Sequence, residues 1–204
     1  MASQRQKPKY TVPGMDRADA AEVAEVLQDR LLAMIDLTLT LKHIHWNVVG
    51  PTFISVHEML DPQHAGASAM VDEIAERIAT LGISPNGLPG NLVAARRWDD
   101  YDLERAQVPV HLRALDHVYD GVITDHRSAV DQFGDLDPIS EDLLIGHTGS
   151  LELYQWFVRA HLESTDGSLE RSQDGEGPAP AKQRTGKAAT KAAANGSSRS
   201  RTKR

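Results

Sequence analysis

Four side chains spaced along one stretch of this chain could bind a metal: His57, Asp61, Asp72 and Glu76. On an α-helix all four fall within roughly a 100° arc of one face. Yet His57 and Glu76 lie about 28 Å apart at ~1.5 Å of rise per residue. One ion cannot reach both ends. The spacing is symmetric, however, because Asp61 follows His57 by the same step that separates Asp72 from Glu76. A second copy of the helix, antiparallel with a two-fold axis between Gly66 and Ala67, brings His57 opposite Glu76 and Asp61 opposite Asp72. Two identical His-plus-carboxylate clusters then form per dimer, each built from both chains, as a self-complementary C2 contact requires. Ala65-Gly66-Ala67-Ser68-Ala69 supplies the small residues that let two backbones approach there. The plainer alternative is a solvated polar face.

Carboxylate and imidazole donors suit Fe(II), and the chain has no cysteine to favour zinc or clusters. The same absence excludes a disulfide framework and a thiol nucleophile. With 204 residues, 40% hydrophobic and 25% charged, one globular domain with tails is expected. Nothing at the N-terminus reads as a signal peptide, and no segment has the ~20 apolar residues of a membrane span. A cytoplasmic protein is expected.

The helices must position these residues. Val23, Val26, Leu27, Leu31, Met34, Ile35 and Leu41 recur at three- and four-residue steps and predict a first helix from Arg17 to Val48, capped by Asp16. Gly50-Pro51 breaks it. A second helix is expected over Phe53–Leu81, with Pro62 producing a kink or a wider turn. Residues 82–98 read as a loop, and a short helix is expected over Tyr101–Ala106. Further long helices fit Pro109–Phe133 and Ile139–Ser164, the latter with Asp137 or Ser140 near its cap. No β-period alternation stands out. The fold is therefore expected to be all-α: a four-helix bundle, ferritin-like, with a short extra helix in the long crossover between helices 2 and 3. Residues 1–14 read as a flexible N-terminal arm, 15–165 as the helical domain, and 166–204 as a disordered basic C-terminal tail.

The motif Lys42-His43-Ile44-His45-Trp46-Asn47-Val48-Val49-Gly50, followed by His57-Glu58-Met59-Leu60-Asp61 and Val71-Asp72-Glu73-Ile74-Ala75-Glu76-Arg77, resembles the Dps family of mini-ferritins, DNA-binding proteins from starved cells. The resemblance covers roughly residues 15–165. It implies a ferroxidase centre between two-fold related subunits, with His45, His57 and Asp61 from one chain and Asp72 and Glu76 from the other. It also implies a dodecameric shell that oxidises Fe(II), with hydrogen peroxide favoured over dioxygen, and stores ferric mineral. Trp46 would then be either an electron trap beside the iron or simply a packed aromatic. Larger ferritins use Glu-x-x-His inside the bundle, and this chain contains none. His43 is expected to be structural and His64 a surface histidine near the dimer axis.

Asp135, Asp137, Glu141 and Asp142 gather at the start of the last helix, either to complement its dipole or to draw cations through a three-fold iron uptake pore. The resemblance favours Asp142, with Asp137 beside it. The tail carries Lys182, Arg184, Lys187, Lys191, Arg199, Arg201, Lys203 and Arg204 and no acid, leaving residues 1–176 at −15. Many such tails on one particle would bind double-stranded DNA without reading its sequence, placing the particle on the nucleoid. A solvated tail is the alternative, and a nucleoid-compacting particle with little iron chemistry is the competing function.

Overall fold

The computed structural model describes residues 8–164 and 167–169. Four long helices and one short one follow in order: α1 (Arg17–Asn47), β1 (Val48–Val49), α2 (Phe53–Thr80), α3 (Pro89–Ala95), β2 (Ala106–Gln107), α4 (Val108–Phe133) and α5 (Pro138–Ala160). Helix α1 packs chiefly on α2, and α4 on α5, with α1 and α4 joining the two pairs. On α2 the buried residues are Val56, Leu60, Gln63, Ala67, Met70, Ile74 and Ile78, three and four apart. That stripe faces the core and turns Asp61, Asp72 and Glu76 outward to solvent.

Asp16 caps α1 as expected, its carboxylate accepting from the Ala18 amide at 3.0 Å. Helix α2 runs through Pro62 without the expected wider turn. Pro62 and Glu58 are both exposed, so water can serve the Glu58 carbonyl that loses its amide partner. The short helix lies elsewhere than expected. It occupies Pro89–Ala95, where Pro89 starts the first turn, inside the stretch read as loop. Residues Tyr101–Ala106 are not helical. The Leu103 carbonyl accepts from His43 Nε2 at 2.6 Å, and the Tyr101 hydroxyl bonds His111 Nδ1 at 2.8 Å. These contacts hold the segment extended until Ala106 and Gln107 pair in parallel with Val48 and Val49. A two-residue ladder is too short to leave an alternation in the sequence.

Both ends of the described residues pack on the body. Val12 and Met15 pack on the core, and the Tyr10 carbonyl sits against Gly82, whose φ of +84° and 2.1 Å clearance leave no room for a Cβ. Leu169 packs on the core and bridges Glu163.

Gly66 has a similar role at mid-helix. A Cβ there would lie 2.1 Å from the Tyr154 hydroxyl and 3.1 Å from its ring carbon. Gly66→Ala is expected to lower stability by about 1–3 kcal/mol, the usual cost of overpacking. Adding Tyr154→Phe removes the clashing oxygen and should recover much of the loss in a thermal melt.

The bundle interior also carries a polar layer. Arg30 and His126 are buried, as is His147. Arg30 pairs with Asp125 of α4 at 3.1 Å, and His147 Nε2 donates to Glu73 of α2 at 2.6 Å. Burial, followed by the Arg30 charge, pushes the His126 imidazole down to about 3, with His147 adding to the effect. The unfolded chain takes a proton near pH 6.5 while the folded one refuses it. This contribution is therefore complete above pH 6.5 and is lost as pH falls toward 3, at about 1.4 kcal/mol per pH unit. A His126→Phe variant should show a flatter fall of unfolding midpoint between pH 6.5 and 4 than the parent.

Candidate metal centre

The end of α1 and the start of α2 bring His45 and His57 together. Gly50, at φ +121°, turns the chain between them. The two rings stack with centroids 3.6 Å apart and 23° between planes. His45 Nδ1 donates to the His57 carbonyl at 2.9 Å, and His57 Nδ1 donates to the His45 carbonyl at 2.8 Å. A carbonyl can only accept, so both hydrogens sit on Nδ1. With Nδ1 committed to a carbonyl, Nε2 is the nitrogen of each ring left to ligate a metal when it carries its lone pair.

Asp61 completes this half of the site. Its Oδ1 lies 3.4 Å from His45 Nδ1 and 2.6 Å from Lys42 Nζ. The Lys42 hydrogen bond holds the Asp61 carboxyl below the usual carboxylate range, overcoming the opposing effect of desolvation. A carboxylate ionised in this way is ready for a cation. Sequence reading missed Lys42, although it lies one turn before His45 on the same helix.

Asp72 and Glu76 are exposed on the same helix as His57, about 22 and 28 Å further along it. Among the described residues of one chain, no group of three or more His, Asp or Glu has the geometry of a metal site. Trp46 stands beside His45 and is 72% exposed, so it is not a packed core aromatic within the chain. His43 turns away to Leu103 and packs edge-on to Tyr101. His64 is half-buried, and burial lowers its affinity for a proton.

The two pore candidates differ. Asp142 is exposed. Asp137 is buried at the start of α5, bound by Arg77 at 2.5 Å and by the Ser140 hydroxyl. Burial opposes its ionisation, but Ser140 and Arg77 outweigh it and keep the carboxyl low. Its charge is thus neutralised within the fold, where it ties α2 to α5. The eight basic tail residues from Lys182 to Arg204 lie outside the described residues.

Long helices in two antiparallel pairs, with two imidazoles and the Asp61 carboxylate at one corner, define a ferritin-like protein. The family model described as ferritin, ferritin-like domain, matches residues 24–168. The DNA protection during starvation protein of Mycolicibacterium smegmatis is 57% identical over 160 residues, 78% of this chain and 87% of that protein. The fine tangled pili major subunit of Haemophilus ducreyi is 52% identical over 160 residues, 78% of this chain and 85% of that protein. The structure of DpsA14 from Streptomyces coelicolor superposes with a TM-score of 0.80 at 57% identity, covering 81% of this chain and 99% of that one. The chain belongs to the Dps family. Among the described residues no helix is long and apolar enough to cross a membrane.

Proposed function

We propose that this protein oxidises Fe(II) at sites shared between two-fold related subunits and stores the ferric product in a dodecameric shell that protects DNA. The observation that carries the reading is the reciprocal hydrogen bonding of His45 and His57, which commits each Nδ1 to a carbonyl and leaves each Nε2 to ligate a metal beside an ionised Asp61. The partner's Asp72 and Glu76 complete the ligand set. Three carboxylates outweigh the charge of one ferrous ion and match that of one ferric ion, which favours the ferric state. Hydrogen peroxide is the preferred oxidant, with dioxygen the other. Two Fe(II) each give one electron, the O–O bond breaks, and two protons are taken up to yield two waters. Trp46 lies where it can donate an electron when a single iron meets the oxidant. Asp142 lines the iron uptake pore.

DNA is held by the cationic tails in a sequence-independent manner on the nucleoid of the cytoplasm. The name of the Mycolicibacterium relative supports the protective role. Purified protein mixed with Fe(II) and peroxide should develop ferric absorbance while light scattering reports a particle of twelve chains. A monomer, or a rate equal to that of protein-free buffer, sinks the proposal.

Lys42 occupies Asp61 before iron does. Its removal takes away a competing cation while leaving the ligands intact. Lys42→Met is therefore expected to bind Fe(II) several-fold more tightly by calorimetry. Unchanged affinity would mean that the Lys42–Asp61 pair is irrelevant to loading.

A further inference from the structure

Tyr101 stands on the extended crossover segment with its hydroxyl 2.8 Å from Nδ1 of the fully buried His111, and the two rings lie nearly parallel, 9° between planes. Two tautomers fit that distance, and their surroundings separate them. With the hydrogen on Nδ1, the phenol could donate only to the His111 carbonyl at 3.4 Å, a long bond. The Nε2 lone pair would then meet no donor, whereas the Asn47 and Glu104 carbonyls act on this ring to favour hydrogens on it. With the hydrogen on Nε2, the phenol donates to Nδ1 at an ordinary length and those carbonyls favour the remaining hydrogen. His111 is thus a base within the reach, about 2.6–3.2 Å, that proton transfer requires. Burial keeps its imidazole neutral by pushing the pKa down. Burial, with the Asp102 charge, pushes the Tyr101 phenol up, so the phenol stays protonated.

The pair lies beside the iron corner. The His43 ring meets Tyr101 edge-on with centroids 5.8 Å apart. His43 and Trp46 are three residues apart on α1, a spacing that sets Cβ atoms about 5–6 Å apart. His45 lies between them in sequence. Among the described residues Tyr101 is the tyrosine whose hydroxyl meets a basic nitrogen. Tyr119 donates instead to the Gln63 side-chain carbonyl at 2.8 Å, which takes no proton.

We propose that Tyr101 is redox-active, giving an electron to oxidised Trp46 while its phenolic hydrogen passes as a proton to His111 Nδ1. This role depends on the iron and peroxide reaction proposed above. A lone Fe(II) supplies one of the two electrons that cleaving hydrogen peroxide requires. Trp46 supplies the other and is refilled from Tyr101. The phenolic O–H bond breaks, an N–H bond forms at His111, and a neutral tyrosyl radical remains beside an imidazolium. Two protons from solvent complete two waters, so no hydroxyl radical is released. The next Fe(II) returns the electron and His111 returns the proton, which resets the pair.

The assembled full-length protein, given one Fe(II) per site and excess peroxide and frozen rapidly, tests this by EPR. The parent should show a tyrosyl radical, and Tyr101→Phe should lower it several-fold while ferric absorbance still develops. His111→Gln keeps a hydrogen-bond partner but no base, and should lower it several-fold too, with a tryptophanyl signal in its place. An undiminished tyrosyl signal in either variant overturns the inference, and so does a parent that oxidises iron without one. A parent that oxidises no iron overturns the iron reading instead, and an iron-free measurement then decides. Azide radicals made by pulse radiolysis oxidise tryptophan, and the tryptophanyl absorbance should decay into tyrosyl absorbance several-fold faster in the parent than in Tyr101→Phe. Equal rates overturn the inference. Should His111→Gln not fold, Tyr101→Phe, which loses only a hydroxyl, decides.

Discussion

Replacing His45 and His57 together by alanine is expected to reduce Fe(II) oxidation by at least about 100-fold, since even second-shell partners of a metal are worth 10–100-fold. The sharper result comes from mixing. A second variant with Asp72→Ala and Glu76→Ala should be equally inactive alone. Co-refolded in equal amounts, the two variants pair at random. Each mixed dimer then holds one site with all its ligands and one with only Asp61, so activity should return to about a quarter of the parent value. Sites contained within single chains would give no recovery. No recovery from a properly assembled mixture would end the shared-site proposal, while retained activity in the His45/His57 variant would end the ligand assignment itself.

Deleting residues 177–204 is expected to abolish DNA retardation in a gel at moderate salt while leaving the iron reaction at its parent rate. The deletion removes eight of 22 basic residues and no acidic one, shifting the chain from −7 to −15. A body of that charge repels phosphate. For the intact protein, log affinity should fall linearly with log salt, because phosphate contacts release counterions. Full DNA binding by the truncated protein would move the contact to the N-terminal segment around Arg5, Lys7 and Lys9.

Much of the fold could be read from the sequence because its signals are local. Asp16 and Gly50-Pro51 mark helix boundaries by chemistry that acts within a few residues. The outward face of α2 follows from period alone, and His57, Asp61, Asp72 and Glu76 share it. The approach of His45 to His57 is different. It depends on how two helices pack around the Gly50 turn, and only the family resemblance anticipated it. The extended path of Tyr101–Ala106 was not legible either, since it follows from His43 and His111 reaching across to it. The polar layer left a fainter trace. Arg30 falls between Leu27, Leu31 and Met34, and His126 sits in phase with Tyr119, Ile123, Ala129 and Phe133. Reading that phase would have assigned both to the interior.

The parallel pairing of Val48–Val49 with Ala106–Gln107 bears on how this lineage can vary. It fastens the exit of α1 to the threshold of α4, so the stretch from Gly82 to Arg105 is a belt with its buckle at Ala106–Gln107, stitched to α1 by Asn86 on Gln28 and by Arg96 and Trp98 on Asp36. Residues added or lost between those stitches would alter its slack without tugging on the buckle. Length changes in homologues should therefore gather there, leaving the histidine corner undisturbed.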